Sequence, residues 1–172
     1  MILYFSALSL IPIGQAVTLQ YTAPLFVALL SGSLIREKVS TSVLISLVTA
    51  FIGIILIVSP DLDSIDPNAL LALGSGFFAG LAYIFVRDLR KTDSPSTVVF
   101  WFAAFSVVGS VIQAAPELSN LTWEMLAALV GIGVGAGGGQ VGITMAYHQA
   151  NAAWVSAFSY LTVIIATIYG II

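Results

Sequence analysis

Residues 7–40 are ALSLIPIGQAVTLQYTAPLFVALLSGSLIREKVS, and this stretch decides the fold class. The first charged residue of the chain is Arg36, so the preceding 35 residues carry no charge. One membrane-spanning helix needs about 20 apolar residues, so the run is too long for one span and too short for two. Because Pro12 and a following glycine interrupt it, we expect a half-span at Ile2–Leu10 and a full span at Pro12–Ile35.

The composition of the whole chain favours a bilayer as its solvent. Of its 172 residues, 59% are hydrophobic and only 8% are charged, whereas a soluble domain carries about 25% charged residues. This excludes an ordinary soluble domain, a disordered chain and a nucleic-acid-binding protein, which would need a basic surface. The chain has no cysteine, which excludes disulfides, a thiolate nucleophile and a cysteine-ligated metal.

The remaining apolar runs predict five further spans, each between polar segments that suit helix caps. The predicted spans are Ser42–Val58, Asn68–Val86, Pro95–Ala115, Trp123–Tyr147 and Ala152–Ile172. The predicted N-terminal caps are Ser40 or Thr41, then Asp66, Ser94 and Thr122. The runs are continuous and lack the alternation of barrel strands, so the expected fold class is all-α, a polytopic transmembrane helix bundle.

The basic residues predict the orientation in the membrane. If successive loops alternate sides, the loops at Arg36–Lys38 and Arg87–Lys91 lie on one side, and they hold all five basic residues. The opposite side holds Asp61, Asp63, Asp66 and two glutamates, with no basic residue. Because cytoplasmic loops are enriched in Lys and Arg, we place the basic loops in the cytoplasm.

The chain also contains a weak internal repeat. Tyr160 lies 139 positions after Tyr21, and at this offset residues 7–30 align with residues 146–169. Identities are few, but small and apolar positions correspond. The Pro12 span and the Ala152 span run in opposite directions in the predicted topology, and inverted repeats of this kind are typical of transporters.

Two stretches resemble a known family. Residues 7–40, with Ala7-Leu8, Pro24 and Glu37, resemble the first EamA repeat of the drug/metabolite transporter superfamily. The segment Gly80–Phe102 resembles the start of the second repeat. Val163 departs from the pattern, because the second copy often has proline there.

The resemblance implies a ten-helix inverted-repeat (5+5) transporter, of which this chain is a part. Residues 1–59 would be helices three to five, and residues 68–172 helices six to nine, with helices one, two and ten missing. It implies transport of small organic metabolites, amino-acid-like or amphipathic, by alternating access in a cell membrane, the bacterial inner membrane. The expected partners are the solute, the lipid bilayer and either a second copy or the complementary missing helices, with no nucleic acid. The alternative is a non-transporting fragment or scaffold that assembles through its glycines.

Several uncharged polar and aromatic residues are candidates to contact a solute, although each has a structural alternative as a core or interhelical contact. The candidate binding residues are Gln15, Thr18, Tyr21, Thr22, Tyr83, Trp101, Gln140, Thr144 and Tyr160. A second group is predicted to act in packing or as hinges, through small side chains or a missing backbone donor. This group comprises Pro24, Glu37, Gly76, Gly80, Gly131, Gly135 and Gly139. Glu37 is interpreted most simply as a loop ion pair; the resemblance adds a role in capping a helix or fixing the loop.

The sequence offers little support for catalysis. The predicted span interiors contain no acidic or basic residue, and the chain has no HExxH motif and no serine or aspartate set beside a catalytic histidine. The motif GVGAGG at Gly133–Gly138 lies inside a span with no preceding strand, which rules out a dinucleotide site. We therefore expect a protein that is not an enzyme and that needs no cofactor or metal.

The predicted topology can be tested with single cysteines, because the chain has none of its own. Ser40→Cys and Ser64→Cys should react with a membrane-impermeant thiol reagent from opposite sides of the membrane. Labelling rates in right-side-out and inverted vesicles measure this directly. Equal access to both cysteines from one side would refute the topology.

Overall fold

The computed structural model describes residues 2–58, 66–114 and 121–171, and it is helical in every element within these ranges. The helices are α1 (Ile2–Leu10), α2 (Ile13–Gln20), α3 (Ala23–Leu34), α4 (Thr41–Val58), α5 (Ala69–Leu89), α6 (Pro95–Ala114), α7 (Trp123–Gln149), α8 (Ala152–Ala157) and α9 (Leu161–Ile171). A 3₁₀ turn, Phe158–Tyr160, separates α8 from α9. The all-helical fold class is therefore confirmed for the described ranges.

Hydroxyl and carboxylate side chains cap the helices where the sequence predicts it. Ser40, Ser94 and Thr122 accept hydrogen bonds from backbone N–H groups three residues later, at 3.3–3.4 Å. Asp66 accepts the N–H of Asn68 at 2.8 Å. The side chains replace the intrahelical acceptors that the first turn of a helix lacks. Asp61 and Asp63, placed in the same predicted loop as Asp66, lie outside the described residues.

Three segments of the described chain are long and apolar enough to cross a membrane: residues 13–34, which combine α2 and α3, together with α5 and α7. Shorter apolar helices occupy the other predicted spans, at Thr41–Leu56, Pro95–Val111 and Ala152–Ile165. Each of the six predicted full spans thus contains helix, and α1 occupies the predicted half-span. Helices of this length and composition fit a multi-pass membrane protein.

The first full span is broken in its middle. Helix α2 ends at Gln20, and α3 begins at Ala23 with Pro24 in its first turn. Proline has no N–H, so Pro24 cannot donate to the carbonyl of Gln20 as a helix would require. Across the break, the Thr22 hydroxyl donates to the carbonyl of Leu19 at 2.6 Å. The hydroxyl therefore adds a second donor at the Leu19 carbonyl, which also accepts the Thr22 N–H, next to the Gln20 carbonyl that loses its donor.

The last span tightens into a 3₁₀ turn while its backbone stays helical, and it contains no proline; this turn is the second break. The serine hydroxyls of the segment bond backward along the chain: Ser156 donates to the carbonyl of Ala153 at 2.9 Å, and Ser159 to that of Ser156 at 2.7 Å. The same kind of bond occurs at Ser9, Ser33 and Ser46 in α-helices that contain no such turn, so it does not by itself account for the 3₁₀ turn. The chain tightens into the 3₁₀ turn at Phe158–Tyr160 and then resumes as α9.

The described structure divides into two compact units. The first unit comprises Met1–Phe85 and Ala150–Ile172, and the second comprises Val86–Gln149. The first unit contains a buried apolar cluster that joins α3, α4, α8 and α9 through Ala28, Leu47, Ala153 and Val163. A second cluster in the same unit joins α1, α2 and α5 around Ala7.

Two predicted packing glycines of α5 lie against the break between α2 and α3. A Cβ at Gly76 would lie 2.7 Å from the Thr22 hydroxyl and 2.9 Å from the Leu19 carbonyl oxygen. A Cβ at Gly80 would lie 3.0 Å from the Ala23 carbonyl oxygen. A Cβ at Gly76 would overlap its neighbours, and one at Gly80 would require them to shift by a few tenths of an ångström, so α5 fits the broken span through its two glycines.

In the second unit, α6 packs on α7, and Arg87 differs from its prediction. The charge pattern predicts an aqueous loop at Arg87, but α5 continues to Leu89 and Arg87 is only 7% exposed. Its Nη1 donates to the carbonyls of Tyr147 and His148, at 3.0 and 2.9 Å. The last carbonyls of a helix lack intrahelical donors and attract a cation, so the guanidinium caps α7 and the loop assignment is wrong.

The close contact at Gly76 predicts a strong dependence of folding on its size. Gly76→Ala should destabilise the protein by about 1–3 kcal/mol, because the added methyl group meets backbone as well as a side chain. Thermal unfolding in detergent measures the change.

The matched control is Gly53→Ala in α4 of the same unit, where a Cβ meets nothing within 4 Å. This variant should be neutral or slightly stabilising, because alanine favours helix more than glycine does. Equal unfolding temperatures for the two variants would contradict the packing inferred at Gly76.

Candidate functional site

The two broken spans meet at their breaks. Tyr21 lies at the end of α2, and Tyr160 ends the 3₁₀ turn after α8. Their ring centroids are 6.2 Å apart with an interplanar angle of 45°, within the range of aromatic pairs. The sequence pairs these two tyrosines by the offset of 139, and the structure brings their rings into contact.

The same offset reproduces the helix boundaries at the starts of both broken spans. Helix α1 ends at residue 10 and α2 begins at 13; α7 ends at residue 149 and α8 begins at 152. The residues that precede α2 and α8 also share one backbone conformation: φ −53° and ψ 136° at Pro12, φ −55° and ψ 136° at Asn151. Agreement at several boundaries supports an internal repeat more strongly than the sparse identities do.

The matched segments run antiparallel within the first unit. Tyr21, just before α3, contacts Tyr160, whereas Glu37, just after α3, contacts the start of α8. The Glu37 carboxylate accepts the N–H of Ala152 at 3.0 Å. Of the roles given to Glu37 by the sequence, the structure thus displays the helix cap, and opposite direction is what an inverted repeat requires.

Two hydroxyl groups near the breaks are buried and unsatisfied. Within residues 2–58, 66–114 and 121–171, neither the Tyr160 hydroxyl nor the Thr18 hydroxyl has a hydrogen-bond partner. The side chains are only 5% and 6% exposed. Leaving a buried hydroxyl unpaired costs free energy, so each retains an unused capacity to form a hydrogen bond. Gln15 is buried one turn before Thr18 on α2.

Tyr83 and a residue that the sequence pattern does not reveal complete an aromatic group in this unit. Tyr4 of α1 and Tyr83 of α5 both lie close enough to Tyr21 to interact electrostatically. Nothing in the local sequence distinguishes Tyr4, because its role depends on how α1 packs. The group therefore consists of Tyr4, Tyr21, Tyr83 and Tyr160, each an apolar ring that carries one polar group.

A polar bridge beside the break is also absent from the sequence-based predictions. The Ser75 hydroxyl shares its one proton between the side-chain oxygen of Gln20 and the backbone carbonyl of Ala72, 2.7 Å away. This bridge ties α5 to the end of α2. The available sequence signal is the position of Ser75 directly before Gly76, where a small hydroxyl can follow the close approach of the two helices.

The remaining predicted site residues lie in the second unit. Gln140 donates its side-chain N–H to the Thr144 hydroxyl at 3.5 Å along α7, and Thr144 is buried. Trp101 on α6 is more than half exposed. A Cβ at Gly131, Gly135 or Gly139 would meet nothing within 4 Å, so these glycines make no close helix contact in the described structure, and their packing role stays a prediction.

The chemistry of the site follows from its uncharged groups. Hydroxyls, one carboxamide and aromatic rings can bond and stack on a polar solute, but they do not neutralise a full charge. Among the described residues, no three His, Cys, Asp or Glu side chains are grouped to hold a metal. The arrangement is suited to reversible binding.

Comparison with known proteins gives the family. Residues 1–59 match the EamA-like transporter family. The match and the transporter-named relatives support a similarity of the chain to EamA-type transporters of the drug/metabolite transporter superfamily. The resemblance stated from the sequence is confirmed. No solved structure matches the chain significantly.

Curated relatives of the chain are named as transporters. A "Riboflavin transporter" of Vibrio cholerae is 32% identical over 156 residues, which cover 87% of this chain and 51% of that protein. An "Uncharacterized transporter" of Helicobacter pylori is 28% identical, covering 99% and 60%. A "Pseudopaline exporter" of Pseudomonas aeruginosa is 27% identical, covering 95% and 58%. The chain therefore spans between about half and three fifths of the length of these relatives.

Proposed function

We propose that the chain belongs to a cell-membrane carrier that moves small, polar organic solutes by alternating access. The observation that carries the proposal is the contact between Tyr21 and Tyr160 at the two matched helix breaks. In transporters, discontinuous helices expose backbone and side-chain polar groups near the middle of the bilayer, where solutes bind. Irregular backbone at that depth is tolerated where it is buried in protein or lines a cavity.

The transporter-named relatives and the EamA match support the coarse part of this proposal. The uncharged polar groups at the breaks support its finer part. A solute that offers both a stacking surface and hydrogen-bonding groups suits two tyrosine rings and two unpaired hydroxyls. The relatives' names add flavins to the solutes worth testing, since riboflavin combines these properties.

The test separates binding from folding through the two unpaired hydroxyls. Removing a buried hydroxyl that has no partner should leave stability unchanged or raise it, because no hydrogen bond is lost. Tyr160→Phe and Thr18→Val should therefore fold at least as well as the parent. If each hydroxyl bonds the solute, transport in proteoliposomes should fall by roughly tenfold, the effect of losing one good hydrogen bond. The solutes to compare are riboflavin, a zwitterionic amino acid and an organic anion.

Thr22→Val is the matched control, because the Thr22 hydroxyl bonds the Leu19 carbonyl inside the protein. This variant should lose stability by about 1 kcal/mol. Unchanged transport by both Tyr160→Phe and Thr18→Val would exclude the breaks as the binding site. The absence of transport of any class of solute by the parent protein would count against the carrier itself.

A further inference from the structure

The loop after α3 is bonded to the start of α8 by two side chains, and we call these contacts the clasp. The Glu37 carboxylate accepts the N–H of Ala152 at 3.0 Å. The Asn151 side chain donates its N–H to the carbonyl of Lys38 at 3.4 Å. Both bonds join segments more than 110 residues apart in sequence, so the clasp connects the first span to the last.

The backbone of the loop is bent to aim Glu37. Arg36 has φ +57°, and it is the only non-glycine residue with positive φ in the described part of the chain. This conformation is uncommon for a residue with a Cβ. It is followed by a bond from the Glu37 N–H to the carbonyl of Ser31 at 3.3 Å, which fixes the loop to the end of α3. Strain of this kind persists where the surrounding contacts determine the geometry.

Helix α8 does not depend on the clasp for its N-terminal cap. Asn151 already caps α8 with its own side-chain oxygen, which accepts the N–H of Ala153 at 3.1 Å. The carboxylate of Glu37 therefore adds a connection between two spans to a helix that is capped without it. The partners are partly exposed rather than buried, so water can replace these bonds at modest cost. A contact that is specific and yet easily exchanged for water can open and close.

The two matched helix starts are unequal. Helix α8 carries the clasp and its own cap, whereas α2, the corresponding helix at offset 139, has no side-chain cap within the described residues. Because the matched spans run antiparallel, these starts lie toward opposite ends of the crossing pair. The pair is tied at the clasp end by these bonds and in the middle by the rings of Tyr21 and Tyr160.

We propose that the clasp is a gate, which closes the solute path at the end bearing Arg36 and Lys38 and must open for the solute to pass there. Glu37 is a positioning residue in this device, acting on α8 and not on the solute. The inference rests on the proposed carrier function and adds its regulation. Opening the clasp allows α8 to move away from α3 about the two breaks, which exposes the shared face of α8.

A cysteine at Ser156 reports the opening. Ser156 is 1% exposed and lies on α8 between Ala153 and Tyr160, on the face that they share. The parent for the test is Ser156→Cys, in a chain that has no other cysteine. The probe is a membrane-impermeant methanethiosulfonate, applied from the side of Arg36 in vesicles of known orientation and, separately, from the opposite side.

Glu37→Ala in this parent should raise the labelling rate from the Arg36 side by roughly tenfold, the effect expected when one charge-assisted hydrogen bond is lost. The rate from the opposite side should not rise. Glu37→Gln keeps an oxygen at the same reach and should give an intermediate rate. The matched control is Lys38→Ala, which removes a charge from the same loop while the clasp uses only the Lys38 backbone carbonyl. Its labelling should equal that of the parent.

Asn151→Asp provides a second variant if Glu37→Ala folds poorly. Aspartate keeps the acceptor that caps α8 but lacks the donor to Lys38, so labelling should again rise from the Arg36 side alone. Unchanged labelling in both Glu37→Ala and Asn151→Asp would overturn the gate. An equal rise in Lys38→Ala would overturn it too, because any disturbance of the loop would then suffice. Labelling requires no solute, so a failure of transport refutes the carrier without altering this readout.

Discussion

Every backbone N–H and C=O group within an apolar span must form its hydrogen bond inside the protein. The described architecture follows from how this chain meets that constraint at the two breaks. Proline removes a donor at the first break, and the second break is a 3₁₀ turn between α8 and α9. The local adjustments cost little free energy. At the first break a threonine hydroxyl lies 2.6 Å from a carbonyl, and at the second the chain forms a single 3₁₀ turn. Because water is absent at that depth, the breaks must be buried against other helices, and the two broken spans are buried partly against each other.

The same constraint determines which side chains lie beside the breaks. Helix α5 approaches the first break so closely that glycine is required, and Ser75 beside it supplies a polar bridge to Gln20. The aromatic pair then fills the crossing point, with rings that give apolar contact and hydroxyls that stay available. The region of the two breaks thus combines a change of helix geometry with two buried hydroxyls that have no hydrogen-bond partner among the described residues.

The helical class, the spans and most caps could be predicted because they depend on local chemistry. Ser94 and Thr122 precede apolar runs, and no distant residue is needed to recognise them. The pairing of Tyr21 with Tyr160 could also be predicted, because the two residues correspond to each other in the internal repeat with its offset of 139. The second break was not predicted: Val163 replaces the expected proline, and serine back-bonding is a weak signal in any apolar helix.

Other features depend on tertiary packing and could not be obtained from the sequence. Arg87 looks like a loop residue by charge alone, but its burial depends on the last carbonyls of α7, sixty positions away. The glycines of α5 and α7 are indistinguishable as sequence motifs. Only the packing of α5 against the break separates the close contacts of Gly76 from the open space at Gly135.

The polar caps at the helix starts have a consequence for mechanics. Ser40, Asp66, Ser94 and Thr122 each bond the first turn of a helix beside a polar segment. Sliding such a helix along the membrane normal would carry its cap into hydrocarbon, where every donor and acceptor is expensive. Piston-like displacement is therefore disfavoured, whereas tilting a half-helix about a break leaves the caps at the surface. The four caps thus hold α4, α5, α6 and α7 at their depth, whereas the breaks lie in the other spans, between α2 and α3 and between α8 and α9.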